Sequence, residues 1–161
     1  MLLSNYKLQL AKLGSFGFLP YLCAMARILA IDYGQKRTGL AVTDPLKIIA
    51  TALATIETAK LFDYLKTYQQ TETIERFVVG DPKNLNNTPS EIAAEIDNFV
   101  QKLTELYPNI PISRVDERFT SKMAVQTLIQ SGLKKKQRQD KSLLDQVSAT
   151  LILQTYMQQQ G

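Results

Sequence analysis

Residues 27–44 read RILAIDYGQKRTGLAVTD, and this stretch decides the fold. A short aliphatic run ends abruptly on Asp32, Gly34 follows two residues later, and the cations Lys36 and Arg37 come next. A second aliphatic run then ends on Asp44. Two such runs around a polar turn predict a pair of adjacent strands in a hairpin-like arrangement. Asp32 itself admits two readings. Asp close before Gly is ordinary turn chemistry, and a carboxylate delivered to a strand end with two cations beside it is also how a site begins.

Working outward, IATALATI (residues 49–56) predicts a third strand, and AKLFDYLKTYQQ (residues 59–70) a helix with Leu61, Leu65 and Tyr68 at helical spacing. IERFVVG (residues 74–80) predicts a strand buried at its end. In the segment NTPSEIAAEIDNFVQKL (residues 87–103), Thr88 is the expected N-cap, Pro89 the first helical residue and Glu91 the capping-box partner. Ile92, Ile96, Phe99, Val100 and Leu103 then mark that helix's buried stripe. IPISRVDER (residues 110–118) predicts the fifth strand, and SKMAVQTLIQSG (residues 121–132) a helix closed by Gly132. SLLDQVSATLILQTYM (residues 142–157) predicts a final helix with Leu144, Val147, Leu151 and Gln154 on one line.

The expected order is therefore β-β-β-α-β-α-β-α-α. That order makes an α/β domain with an antiparallel three-stranded meander extended by two parallel strands. In sheets with parallel strands, sites gather at the strands' carboxyl ends.

Composition narrows the chemistry. Apolar residues make up 45% of the 161 and charged residues 21%, ordinary for one globular domain. There is no His, and the single Cys is Cys23. A Ser-His-Asp triad, a Cys-His pair and a His- or Cys-rich zinc site are thereby excluded within the chain. No intrachain disulfide is possible, which fits the cytoplasm. The formal net charge is +4, and the segment KKKQRQDK (residues 134–141) alone carries that whole surplus. One basic strip of this kind points to a polyanion partner.

The first 24 residues form a leader ahead of the domain, which spans residues 25–161. Met25 directly introduces the first strand, so the leader reads as an over-extended start or a loosely ordered arm. Its apolar part, FGFLPYLCA (residues 16–24), is broken by Pro20 and too short to span a bilayer. No membrane association is expected.

Three acids stand at element ends that the topology brings to one sheet edge. Asp32 ends the first strand, Asp116 and Glu117 end the fifth, and Asp145 lies early in the last helix. Asp145 is one residue off the line through Leu144 and Val147 and shares its own line with Ser148, Ala149 and Ile152. Each acid has a plainer reading: Asp32 as a turn former, Glu117 paired with Arg118 or Lys122, and Asp145 favouring the positive end of its helix. Together, in a chain without His, they point to a site for a hard divalent cation, whose preferred ligands are carboxylate oxygens.

The segments IDYGQKRTGLAVTD, VVGDPKNLN, VDERFTS and KSLLDQVSATLILQTY, in this order and spacing, resemble the YqgF (RuvX-like) family of nucleases in the ribonuclease H-like superfamily. The resemblance covers residues 25–157. It implies a ribonuclease H-like five-stranded mixed sheet flanked by helices, with Asp32, Glu117 and Asp145 as metal-binding catalytic acids. It also implies two Mg²⁺ or Mn²⁺ ions, about 3.5–4 Å apart in such sites, and trimming of the 5′ end of the pre-16S ribosomal RNA. Lys36, Arg37 and Arg118 would hold phosphates beside the metals. Lys134, Lys135, Lys136, Arg138 and Lys141, placed just before the helix of Asp145, would receive structured RNA or the ribosomal precursor particle. A monomer or weak dimer is expected. Two residues depart from the family pattern: Asp81 stands where an apolar residue is usual, and Asn87 where Gly is common.

Three other readings remain open from the residues. A Holliday-junction resolvase would share the fold. A non-catalytic nucleic-acid-binding module would keep the fold and the basic strip. An actin-like or sugar-kinase ATPase half has a similar first phosphate loop, but such proteins need two domains around the nucleotide.

Overall fold

A computed structural model describes residues 26–81, 92–116, 120–130 and 140–160, the side chains of residues 120–122 excepted. Strand β1 (Arg27–Asp32) has four consecutive buried residues, Ile28 to Ile31. A run without alternation marks a strand covered on both faces, and β1 is the middle strand of five. The sheet order is β3-β2-β1-β4-β5. β2 (Arg37–Thr43) and β3 (Ala50–Glu57) continue antiparallel from β1. β4 (Ile74–Asp81) pairs with β1, and β5 (Ile112–Asp116) pairs with β4, both parallel. The meander with two parallel additions expected from the sequence is the observed topology.

Helix α1 (Leu61–Tyr68) connects β3 to β4, and α2 (Ala93–Leu106) connects β4 to β5. Together they cover one face of the sheet. Leu61 and Leu65 of α1, and Ile96, Phe99 and Leu103 of α2, pack on Leu29, Ile31, Leu40, Phe77 and Val79. The helical stripes read from the sequence are the buried ones. The capping box at Thr88, Pro89 and Glu91 lies outside the described residues.

Helices α3 (Thr120–Gln130) and α4 (Lys141–Gln160) follow β5. α4 covers the second face, laying Ala149, Ile152, Leu153 and Tyr156 on Ile28, Ala30, Ala41, Val78 and Val115. This corrects the expected line of Leu144, Val147, Leu151 and Gln154, in which Gln154 is exposed and the other three are only partly buried. The sheet presents alanines here, so the helix approaches on its small-residue side. That side is the line of Asp145, Ser148, Ala149 and Ile152. A carboxylate sits on the helix face that turns to the sheet.

Candidate active site

Asp32 is the last residue of the central strand, and strand alternation sends its side chain to the α4 face with Ile28 and Ala30. Its cross-strand partner in β2 is Gly39. The backbone of Asp145 rests on that glycine, where a β-carbon would stand 2.1 Å from the Asp145 carbonyl oxygen. The absence of a side chain at Gly39 therefore lets α4 descend to the sheet at the level of Asp32. Asp140 caps the helix start, its Oδ1 accepting from the Ser142 N–H at 2.9 Å. Thr55 Oγ1 donates to the Ser142 carbonyl at 2.8 Å and ties that start to β3.

The two carboxylates influence each other. Burial, and then the charge of Asp145, push the Asp32 carboxyl up to about 7. Arg37, two residues along β2 from Gly39, places Nε 2.9 Å from Asp145 Oδ2. The expected phosphate ligand Arg37 is thus anchored on a site acid, its side chain 40% exposed. Lys36 beside it is exposed, and Lys141 is exposed at the first turn of α4.

The turn between Asp32 and Arg37 is held from β3's end, which the sequence reading missed. Buried Thr38 shares a 2.9 Å hydrogen bond with Thr58, whose hydroxyl lies 2.6 Å from the Gly34 carbonyl. The Thr58 N–H donates to the Lys36 carbonyl at 3.1 Å. Threonines in or beside strands give no signal of such a role in advance. Asp44, the matching aspartate at the end of β2, is different in kind from Asp32. It accepts backbone N–H bonds from Leu46, Ile48 and Ile49 at 3.0, 2.7 and 2.7 Å, which hold its carboxyl below the usual range. One of the two aspartates in the opening stretch is a turn former, and it is not Asp32.

Glu117 follows β5 directly in sequence and lies outside the described residues, as do Arg118, Lys134, Lys135, Lys136 and Arg138. The end of β5 stands two strands from β1 at the same edge, about 10 Å across the sheet. Asp81 ends β4 opposite Asp116 and binds Arg114, its Oδ1 2.7 Å from Nη2; Arg114 also pairs with Asp97. Asp81 is thus engaged in an ion-pair cluster at this edge. Among the described residues no third ligating side chain joins Asp32 and Asp145.

The pair nevertheless fits a divalent cation. Its donors are all carboxylate oxygens, the set that Mg²⁺ and Mn²⁺ accept. The proton-holding tendency of Asp32 comes first from burial and then from repulsion by Asp145, and a bound cation would offset both.

Comparison with known proteins places this geometry in a family. Residues 26–159 match the family model RuvX, described as Holliday junction resolvase. A relative from Christiangramia forsetii, named as a proposed pre-16S rRNA nuclease, is 54% identical over 133 residues, covering 83% of this chain and 98% of its own. Relatives of the same name from Flavobacterium johnsoniae and Porphyromonas gingivalis are 55% and 54% identical, again over 83% of this chain and 96% of theirs. Among solved structures, Thermus thermophilus RuvC in complex with a Holliday junction substrate aligns with a TM-score of 0.50 at 15% identity, covering 83% of this chain and 96% of that one. That likeness concerns the fold, which is ribonuclease H-like.

Proposed function

The chain belongs to the RuvX family and is a hydrolase of phosphodiester bonds, and from that premise we propose that it is a metal-dependent nuclease processing the 5′ end of pre-16S ribosomal RNA. The observation that carries the reading is the convergence of Asp32 and Asp145 across Gly39, with Arg37 beside them. The name shared by relatives about half identical to this chain supports the RNA substrate.

Asp32 and Asp145, with Glu117 as the third acid, would hold the divalent cations, two in number. When bound, such ions lower the pKa of a coordinated water and stabilise the leaving oxygen, which answers how a chain without His supplies a nucleophile at neutral pH. Asp32 is fixed by the central strand and has the least freedom to move. Lys36 and Arg37 orient the phosphodiester, and Arg118 with the basic strip 134–141 receives the flanking phosphates. No base-specific reader is expected there, so RNA shape supplies selectivity. The setting is the cytoplasm, and the protein acts as a monomer or weak dimer. Among the described residues no helix is long and apolar enough to cross a membrane.

The family description favours a second substrate, the Holliday junction. Incubating the protein with a 5′-extended small-subunit RNA precursor and with a four-way DNA junction separates the two. Each arm is run with Mg²⁺ or Mn²⁺, with EDTA and with Asp32→Asn. Metal-dependent cutting of the RNA alone supports the proposal, and cutting of the junction alone replaces it. Cutting of neither, on naked RNA or precursor particles, leaves a binding module.

A further inference from the structure

At Asp32 and Tyr33 the chain sends consecutive side chains to opposite faces of the sheet. Asp32 meets α4, while Tyr33 packs with the cluster under α1 and α2. There Tyr33 stacks on Phe99, with ring centroids 4.7 Å apart, and Phe62 leans on the same ring at 5.6 Å. These three rings line an open cavity of about 300 Å³, together with Asn98, Glu95 and Lys102. Small-molecule sites begin at roughly that volume. Lys102 places Nζ 5.9 Å from the Phe62 centroid and makes no ion pair among the described residues. Nothing in the catalytic reading uses this cavity.

Its chemistry suits one kind of occupant. Tyr33 and Phe62 are only partly buried, so the rings offer a flat apolar surface at low ordering cost. The exposed Asn98 amide supplies both a donor and an acceptor. Glu95, whose Oε1 accepts from Gln35 Nε2 at 2.6 Å, adds a further acceptor oxygen. Lys102 supplies a cation for the sugar-phosphate side. Aromatic platforms beside a cation are how unpaired bases are held in single-stranded nucleic acid. The cavity opens from the residue next to Asp32, and adjacent Cα atoms are about 3.8 Å apart. Asp32 and the cavity therefore share one sheet edge on its two faces, and a strand that rounds this edge would meet both.

We propose that this cavity takes an unpaired nucleobase of the strand whose phosphodiester lies at Asp32, so that the protein grips its substrate by one flipped base beside the cut. The inference rests on the nuclease reading above, because it needs that strand at that edge.

The test uses the full chain carrying Asp32→Asn, expected to bind without cutting, and short single-stranded RNAs with a fluorescein end label and 2-aminopurine at successive positions. Anisotropy of the label reports binding, and 2-aminopurine emission reports stacking. The expected result is quenching at one position and not at its neighbours. Adding Phe62→Ala should abolish that quenching and weaken binding roughly 5- to 150-fold, the range of one lost base stack. Adding Asn98→Leu instead, at an exposed position lining the cavity, narrows it with a side chain that cannot stack and removes no core contact; it should do the same, so an unfolded Phe62→Ala variant does not decide the matter. Binding with no quenched position, with uniform quenching, or with quenching unchanged in a folded variant overturns the base site and leaves the nuclease reading standing. Absence of any RNA binding overturns both.

Discussion

Gly39 and Asp145 stand in backbone contact: a β-carbon on Gly39 would lie 2.6 Å from the Asp145 carbonyl carbon and 3.2 Å from its Cβ. Gly39 is also the cross-strand partner of Asp32, so one missing side chain sets the spacing of the two acids. Gly39→Ala forces α4 off the sheet or bends β2, since neither neighbour is the flexible end of a side chain. We expect a cost of about 1–3 kcal/mol in stability. Cleavage should fall further than stability accounts for, because Asp145 is displaced from Asp32. Thermal melts beside cleavage rates measured well below the melting point test this, and a Gly39→Ala protein with wild-type kinetics would refute it.

Asp32 works against the fold when ionised. Its carboxyl sits at about 7 in the folded protein, against 3.8 when unperturbed, so the native state holds its proton more tightly than the unfolded chain. The penalty is absent below the unfolded value, develops as pH rises from 3.8 to 7, and is complete above that. Its upper size is about 4 kcal/mol. Asp32→Asn should therefore melt higher than wild type at about pH 8 and converge with it at about pH 4, while losing cleavage. Equal melting temperatures at the alkaline end would count against a penalty for the ionised, buried Asp32.

Burial and repulsion at Asp32 together would give a bound cation a stabilising role. A divalent ion that binds only the folded site raises stability by about 2.7 kcal/mol at a hundred times its dissociation constant. Titrating Mg²⁺ or Mn²⁺ should raise the melting temperature of wild type and leave Asp32→Asn nearly unmoved. An equal rise in both proteins would place the ion elsewhere.

Much of this architecture was legible in the sequence, and the failures are instructive. β1 was readable because a buried central strand is uniformly apolar, and α1 and α2 because their stripes follow the helical period. α4 was misread in phase. Its leucines and valine are spread around the helix, and what selects the buried side is the alanine floor of the sheet at Ala30 and Ala41, a tertiary fact. From the sequence Asp145 stands one residue off the expected line for that reason, although its own line is the one that docks. The difference between Asp32 and Asp44 was likewise invisible, since both end an aliphatic run and only backbone donors separate them. Tyr33 was passed over because a tyrosine after a strand carries no signal until Phe62 and Phe99 arrive from two helices.

Thr58 holds the turn of the site from outside it. Its hydroxyl stands between Thr38 and the Gly34 carbonyl, where neither partner has an obvious replacement. Thr58→Val keeps the shape and removes both bonds, leaving the fully buried Thr38 hydroxyl without Thr58. A loss of about 1–3 kcal/mol is expected, with reduced kcat as Lys36 and Arg37 lose their fixed turn. Thr58→Ser should restore both properties. A valine variant as active as wild type would remove the turn from the mechanism.

If Arg37 orients the phosphodiester as proposed, it serves two anions, and their competition can be measured. It holds Asp145 at 2.9 Å in the absence of substrate, and its partial exposure leaves it accessible to a phosphate. An exposed pair of this kind contributes little to stability, about 0–1 kcal/mol, so Arg37→Gln should melt near wild type. Removing the cation leaves the two carboxylates more negative, and Mg²⁺ should bind more tightly by calorimetry. RNA should bind more weakly, with the slope of log K against log salt reduced by roughly 0.7 to 0.9, the contribution of one phosphate contact. Opposite signs for metal and RNA are the signature of a residue shared between them. If both affinities fall together, Arg37 supports the site's structure and touches no phosphate.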